Sequence, residues 1–269
     1  MSIVAFAAVV VGAYAGLVGA MYGFQRQLLY FPSSGPLDAA RAGVPEMRTV
    51  TLQTDDGLAL QSWYAAAQGN AATIVYFHGN GGHIGHRGPK VRPYLDAGFG
   101  VLQLSYRGYG SNPGRPTEEG LYADGRAALA FLAGEGVPLD RTVFYGESLG
   151  SGVAVELAQA ASIAALVLES PLTSVPDLAQ HHYPFVPARL LVRDRFDSAS
   201  KIARTRAPLL VMHGEKDRVV PIRYGRALFA AANEPKEFRA FPEADHNDLQ
   251  EFGLSKEAIG FLQLRGLGR

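Results

Sequence analysis

Thr142-Val143-Phe144-Tyr145-Gly146-Glu147-Ser148-Leu149-Gly150-Ser151-Gly152-Val153-Ala154-Val155 is the stretch on which the reading of this chain turns. It runs from a short apolar segment, TVFYG (142–146), through Gly-Glu-Ser-Leu-Gly into an apolar-periodic segment (149–161) with no loop between. That pattern predicts a strand, a sharp turn and a helix in direct succession. A serine on such a turn takes a strained backbone, and glycines flank it because Cβ atoms would collide there. The turn lifts the Ser148 hydroxyl above the strand ends, and the helix starting at Leu149 points free N–H groups at any nearby anion. The pentapeptide alone also occurs in Gly-Ser loops and helix caps. Its position between strand and helix is what marks Ser148 as a nucleophile.

Outward from this point the chain alternates. MRTVTLQT (47–54) and LALQSWYA (58–65) flank Asp55-Asp56-Gly57 and read as a hairpin. TIVYF (73–77), GVLQLSY (100–106), AALVLES (164–170) and PLLVMHG (208–214) read as buried strands, and KEFRAF (236–241) as a further one. Helical patterns lie at 117–134, 149–161, 222–232 and 248–265. Such alternation predicts an α/β fold with a mostly parallel sheet and helices on both faces. Residues 171–200 break the alternation, and a small cap over the strand ends is expected there. The expected organisation is a hydrophobic anchor (1–26), a connecting segment (27–46) rich in Pro and Gly, and one catalytic domain (47–269).

A serine hydroxyl needs a base, and the base needs a partner that fixes its tautomer. On strand–turn–helix nucleophiles the partners follow in the order serine, acid, histidine. Of the seven histidines only His246 lies beyond the late strand that should carry the acid, which selects it. The acid is assigned to Asp217, in the loop leaving PLLVMHG, with Glu215 and Glu169 as rivals. His78-Gly79-Asn80-Gly81-Gly82 follows TIVYF and should supply one oxyanion donor, the N–H of Asn80, beside that of Leu149. Gly79, Tyr106 and Tyr109 are expected to line the substrate entrance, the tyrosines through the Tyr-Arg-Gly-Tyr-Gly loop (106–110). His78, His83, His86, His181 and His182 raise a metal reading. No H-E-x-x-H spacing, cysteine, Gly-Lys-Ser/Thr ending or G-x-G-x-x-G supports one or a nucleotide cofactor. No metal and no cofactor are expected.

Composition bounds the alternatives. The 269 residues are 48% hydrophobic and 19% charged, ordinary for a folded chain with a large core. Lys plus Arg and Asp plus Glu both number 25, so no excess positive charge points to nucleic acid. The absence of cysteine removes disulfides and thiolate chemistry and leaves the redox compartment open.

IVAFAAVVVGAYAGLVGAMYGF (3–24) contains no charge and, at about 1.5 Å per residue, matches the roughly 30 Å hydrocarbon layer. It predicts a single-pass membrane anchor with either side of the membrane open. A cleaved signal, with Ala13-Tyr14-Ala15 as its cleavage pattern, and a buried core helix are the rivals. No Lys or Arg precedes the stretch, and it is longer than a signal's apolar region, which favours the anchor. Ala8, Gly12, Gly16 and Ala20 fall on one helix face, so a homodimer through Gly12 and Gly16 is possible in lipid.

Taken in order, Gln27 to Pro32, His78 to Gly82, Tyr106 to Gly110, Gly146 to Gly150, Ser170 to Ser174, His213 to Pro221 and His246-Asn247-Asp248 resemble the landmarks of the membrane-anchored α/β-hydrolase-domain serine hydrolases. That group joins bacterial esterases to eukaryotic depalmitoylating thioesterases. The resemblance covers nearly the whole chain. It implies the α/β-hydrolase fold with an eight-stranded sheet, and hydrolysis of small-molecule or lipid acyl esters with Ser148, Asp217 and His246 at the matching positions. Acyl-protein or acyl-CoA thioesters are the alternative substrates, although the chain lacks the cysteine cluster those relatives carry near the N-terminus. A catalytically silent membrane-bound binding protein is the alternative from another class.

Overall fold

In the computed structural model, which describes residues 2–269, the apolar runs pair into a single eight-stranded sheet. In chain order the strands are β1 (Phe31–Pro32), β2 (Arg48–Gln53), β3 (Ala59–Ala65), β4 (Thr73–Phe77), β5 (Gly81–Gly82), β6 (Gly100–Leu104), β7 (Thr142–Glu147), β8 (Ala165–Glu169), β9 (Leu209–Gly214) and β10 (Lys236–Phe241). The sheet runs β10-β9-β8-β7-β4-β6-β3-β2. The pairs from β10 to β6 are parallel, and only β6–β3 and β3–β2 are antiparallel. The two short strands β1 and β5 pair separately, Phe31 with Gly81, which ties the segment after the N-terminal helix to the glycine-rich loop.

β4, β6, β7, β8 and β9 are buried at every position, because both faces of the sheet are covered. Successive side chains point to opposite faces. Val75, Phe77, Phe144 and Leu166 join one core with α3 (Glu118–Gly134), α4 (Leu149–Ala158) and α7 (Arg223–Ala231). Ile74, Tyr76, Tyr145 and Val167 join the other with α2 (Gly88–Asp96) and α8 (Leu254–Gln263). An eight-stranded, mostly parallel sheet with its crossovers is the α/β-hydrolase architecture, with the functional loops at the carboxyl ends of the strands.

Three elements differ from the sequence reading. α2 was not expected, because Pro93 lies inside it and forfeits a backbone hydrogen bond there. Burial of Val91, Tyr94 and Leu95 offsets that loss. The expected helix at 248–265 divides into a 3₁₀ turn (Leu249–Phe252) and α8, because Gly253 between them takes a left-handed backbone at φ +88°. The N-terminal helix α1 (Ile3–Leu29) continues past residue 26, since no glycine or proline interrupts Gln25 to Leu29. None of its side chains is buried.

Between β8 and β9, α5 (Val175–His182) and α6 (Ala188–Leu191) stand over the strand ends. Ser174 caps α5 by accepting from the Asp177 N–H, and Pro176 sits in its first turn.

Candidate active site

Ser148 lies between the last residue of β7 and the first of α4 with φ +50° and ψ −116°, a backbone that a residue with a Cβ rarely adopts. The elbow holds it there. Ser148 N–H donates to Glu169 O at 2.8 Å and Ser151 N–H donates to Ser148 O at 2.9 Å. A Cβ on Gly150 would stand 2.1 Å from Phe77 O, and one on Gly146 2.5 Å from Ser151 Cα. Those two glycines let α4 close against β4 and β7, and the closure forces the serine outward.

The late loops bring up the partners. Ser148 Oγ is 3.0 Å from His246 Nε2, and His246 Nδ1–H donates to Asp217 Oδ2 at 2.7 Å. The other carboxylate oxygen, Oδ1, accepts from Val219 N–H at 2.9 Å and Val220 N–H at 2.7 Å. Burial opposes ionisation of Asp217, but hydrogen bonds from His213, His246 and the Val220 N–H outweigh it and hold the carboxyl well below its ordinary range. With Asp217 ionised and on Nδ1, the imidazole presents an unprotonated Nε2 to the serine. The rival acids lie elsewhere. Glu215 pairs with Arg226, and Glu169 takes Lys90 and Tyr145.

His213 is a component the sequence reading did not assign. Its Nε2–H donates to Val220 O at 2.7 Å and lies 3.3 Å from Asp217 Oδ2, bracing the acid loop. Its position, four residues before Asp217, was the available signal.

The glycine-rich loop faces Ser148 from β4. Among the described residues neither the Asn80 nor the Leu149 backbone N–H has a protein acceptor, and both residues border the cavity above Ser148. The Asn80 carbonyl accepts from Phe31 N–H (2.9 Å) and Tyr109 O–H (2.8 Å), and its side chain donates to Leu29 O (2.8 Å). These bonds aim the Asn80 peptide.

Tyr106 and Tyr109, expected at the entrance, are instead buried behind this loop. Their rings pack on His78 at 4.4 and 5.0 Å, because the Tyr-Arg-Gly-Tyr-Gly turn is pulled inward by Arg107 bonding the buried Asp124. Gly79 is likewise beneath the site, where a Cβ would meet Ser148 Cβ at 3.5 Å. All three support the loop rather than line the cavity. Burial lowers the His78 pKa to about 3, so its neutral ring donates Nδ1–H to Gly79 O at 2.7 Å.

Under the elbow lies a buried ionic cluster. Glu147 accepts from Arg87 (3.2 Å), Lys90 (3.0 Å) and the Tyr76 hydroxyl (3.0 Å), and Lys90 also reaches Glu169 at 2.7 Å. Arg87 donates to Gly81 O at 2.7 Å. Arg87, the residue before α2, thus ties β7 to the glycine-rich loop. Burial opposes the charge on Glu147, but Lys90 and Arg87 hold its carboxyl well below the ordinary range. Among the described residues no three His, Asp or Glu side chains converge on a point that would hold a metal ion.

Above Ser148 opens a cavity of about 360 Å³, inside the roughly 300–1,000 Å³ span of small-molecule sites. Leu172, Val175 and Leu178 contribute to its apolar lining, as do Val186 and Leu191 of the α5–α6 region. Among the described residues Asp194 is the one carboxylate bordering it and is engaged by Arg26 through two bonds, at 2.8 and 3.1 Å.

The comparisons agree with this geometry at the level of family and fold. A family model described as serine aminopeptidase, S33, matches residues 68–193. An uncharacterized Mycobacterium tuberculosis protein is 42% identical over 236 residues, 87% of this chain and 84% of that protein. Protein bem46 of Schizosaccharomyces pombe is 32% identical over 249 residues, covering 86% of this chain and 83% of its own length. The chain belongs to the α/β-hydrolase family. Alpha/beta hydrolase domain-containing protein 17B of Homo sapiens is a further relative, 32% identical over 213 residues, 77% of this chain and 72% of that one. Among solved structures the Pyrococcus furiosus esterase Pf2001 shares the fold, with a TM-score of 0.71 at 19% identity over 87% of this α/β-hydrolase and 98% of the esterase.

Proposed function

We propose that this α/β-hydrolase is a serine esterase that cleaves apolar acyl esters through an acyl-enzyme on Ser148. The observation that carries the reading is the hydrogen-bonded chain Ser148–His246–Asp217 at the base of an apolar cavity, next to two unpaired backbone N–H groups. Ser148 Oγ attacks the ester carbonyl carbon while His246 Nε2 takes its proton. The carbonyl electron pair moves onto oxygen, which the Asn80 and Leu149 N–H groups stabilise at the N-terminus of α4. Collapse expels the alcohol, which receives the proton from His246. Water then repeats the sequence on the acyl-serine and releases the carboxylic acid.

The lining favours an acyl chain over an amino-terminal peptide. A protonated amine would need a free carboxylate, and Asp194 is already neutralised by Arg26. α1, in which an 18-residue window has a mean hydropathy of 2.2, supports a membrane anchor for the enzyme.

The test is Ser148→Ala in the full-length chain, assayed with p-nitrophenyl butyrate and a fluorophosphonate label. Turnover is expected to fall about 10⁶-fold, the scale of nucleophile removal in serine hydrolases, with labelling lost. Retained turnover or labelling overturns the reading.

A further inference from the structure

α1 does more than emerge from the domain. Its last turns form a wall of the cavity above Ser148 through Met21, Tyr22, Leu28 and Leu29. The wall is bolted in place rather than tethered. Arg26 bonds both oxygens of Asp194, Gln25 Oε1 accepts from Arg193 N–H at 2.8 Å, and Leu29 O accepts from the Asn80 side chain. The Arg193 guanidinium lies 4.2 Å from the centre of the Tyr22 ring, a cation–π contact.

One contact lies much higher. The Tyr14 hydroxyl donates to Phe185 O at 2.8 Å, so the loop between α5 and α6 climbs along half the helix. Above that contact only Ile3–Ala13 remain, and eleven residues at about 1.5 Å each span roughly 16 Å, half of a hydrocarbon layer. A full crossing by α1 therefore requires the loop to enter the bilayer beside it. The loop is built for that. Tyr183-Pro184-Phe185-Val186-Pro187 carries no charge, and Phe185 is 53% exposed. The Tyr14–Phe185 bond pairs two polar groups that lipid would leave unsatisfied. Arg189, Arg193 and Arg195 follow directly, where phosphate headgroups would lie.

We propose that α1 and the Tyr183–Pro187 loop form one membrane-embedded roof whose inner surface is the acyl site, so that ester substrates enter sideways from the lipid leaflet. The proposal rests on the esterase reading of Ser148 and names its substrate class: acyl esters resident in the membrane, with the chain held between α1 and α5–α6. Met21 and Leu28 then set acyl selectivity, although they lie more than a hundred residues from Ser148 in sequence.

Two measurements on the full-length chain in phosphatidylcholine vesicles test it. Trp63 is the single tryptophan and is fully buried, so an added tryptophan reports its own surroundings. Emission from Phe185→Trp is expected to be quenched several-fold by phosphatidylcholine brominated on its acyl chains. Emission from Leu139→Trp, which precedes β7 at the opposite end of the strands, is expected to be unaffected. An unquenched Phe185→Trp overturns the embedded roof. In the second measurement, Met21→Trp is expected to lower the ratio of kcat/KM for dodecanoyl over butanoyl esters at least tenfold. An unchanged ratio overturns the acyl wall. Fluorophosphonate labelling of each variant verifies a folded site, and Leu28→Trp replaces Met21→Trp if labelling is lost. A native chain that labels but prefers no long ester overturns the acyl site alone. One that neither labels nor turns over any ester overturns the reading of Ser148 itself.

Discussion

The floor and the roof of the cavity are held together by opposite means. The floor, where β4, β7 and β9 end, is fixed by main-chain approaches with no slack and by buried charge: Gly150 against Phe77 O, Asp217 under two N–H groups, Glu147 between Arg87 and Lys90. The roof, α1 with α5 and α6, is apolar and is joined by a few bonds at its rim, among them the Arg26–Asp194 ion pair. Parts that must hold a reacting atom to a fraction of an ångström sit on the sheet. Parts that need only accommodate a hydrocarbon chain are built from an inserted segment and a helix outside the core.

That contrast predicts where substitutions act. Asp217→Asn should lower kcat about 10⁴-fold with the fold intact, because the amide cannot hold His246 in the required tautomer; steady-state kinetics with circular dichroism would check it. A loss of tenfold or less would mean that the floor tolerates slack. Glu147→Gln leaves Arg87 and Lys90 without full compensation in the core. It should cost about 3 kcal/mol, a fall in thermal midpoint of about 6–12 °C. In the roof, Arg26→Ala breaks a pair whose arginine is 45% exposed, so solvent screening limits the loss. A fall of about 1 kcal/mol, or about 2–4 °C, is expected. Equal losses for the two would erase the distinction.

The smallest expected effect is in pH. Asp217 and Glu147 are both held below ordinary carboxyl values. A carboxylate depressed on folding contributes stability above its unfolded value, near 4, and loses it as pH falls toward the folded value. The contribution of these two carboxylates should therefore be nearly flat from pH 7 to about 5 and decline below about 4, added to a loss that begins near pH 6.5 because the unfolded chain protonates His78 while burial keeps its ring neutral in the fold. The decline should be shallower in Glu147→Gln, as followed by urea midpoints.

Much of the floor was legible because its signals are local. The turn at Ser148 is written in five consecutive residues, and the sheet strands end in recognisable turn residues or lead into helical patterns. Chain order alone then separated His246 from six other histidines. α2 was hidden because Pro93 contradicts local propensity, and tertiary burial overrides it. Tyr106 and Tyr109 were misplaced for a related reason. A strand-end loop usually faces the site, but the Arg107–Asp124 pair seventeen residues apart turns this one inward.

By itself the sequence determined the class of fold, the apolar helix, and which serine, acid and histidine stand at strand ends, since hydrophobic period and chain order are properties of the chain in one dimension. Only the tertiary structure decided that Ser148 Oγ and His246 Nε2, 98 residues apart, meet at 3.0 Å. It also decided that Glu147 is a buried ion and that α1 walls the cavity over Ser148. Those facts depend on side chains from distant segments converging in space, and no spacing along the chain encodes the distance between them.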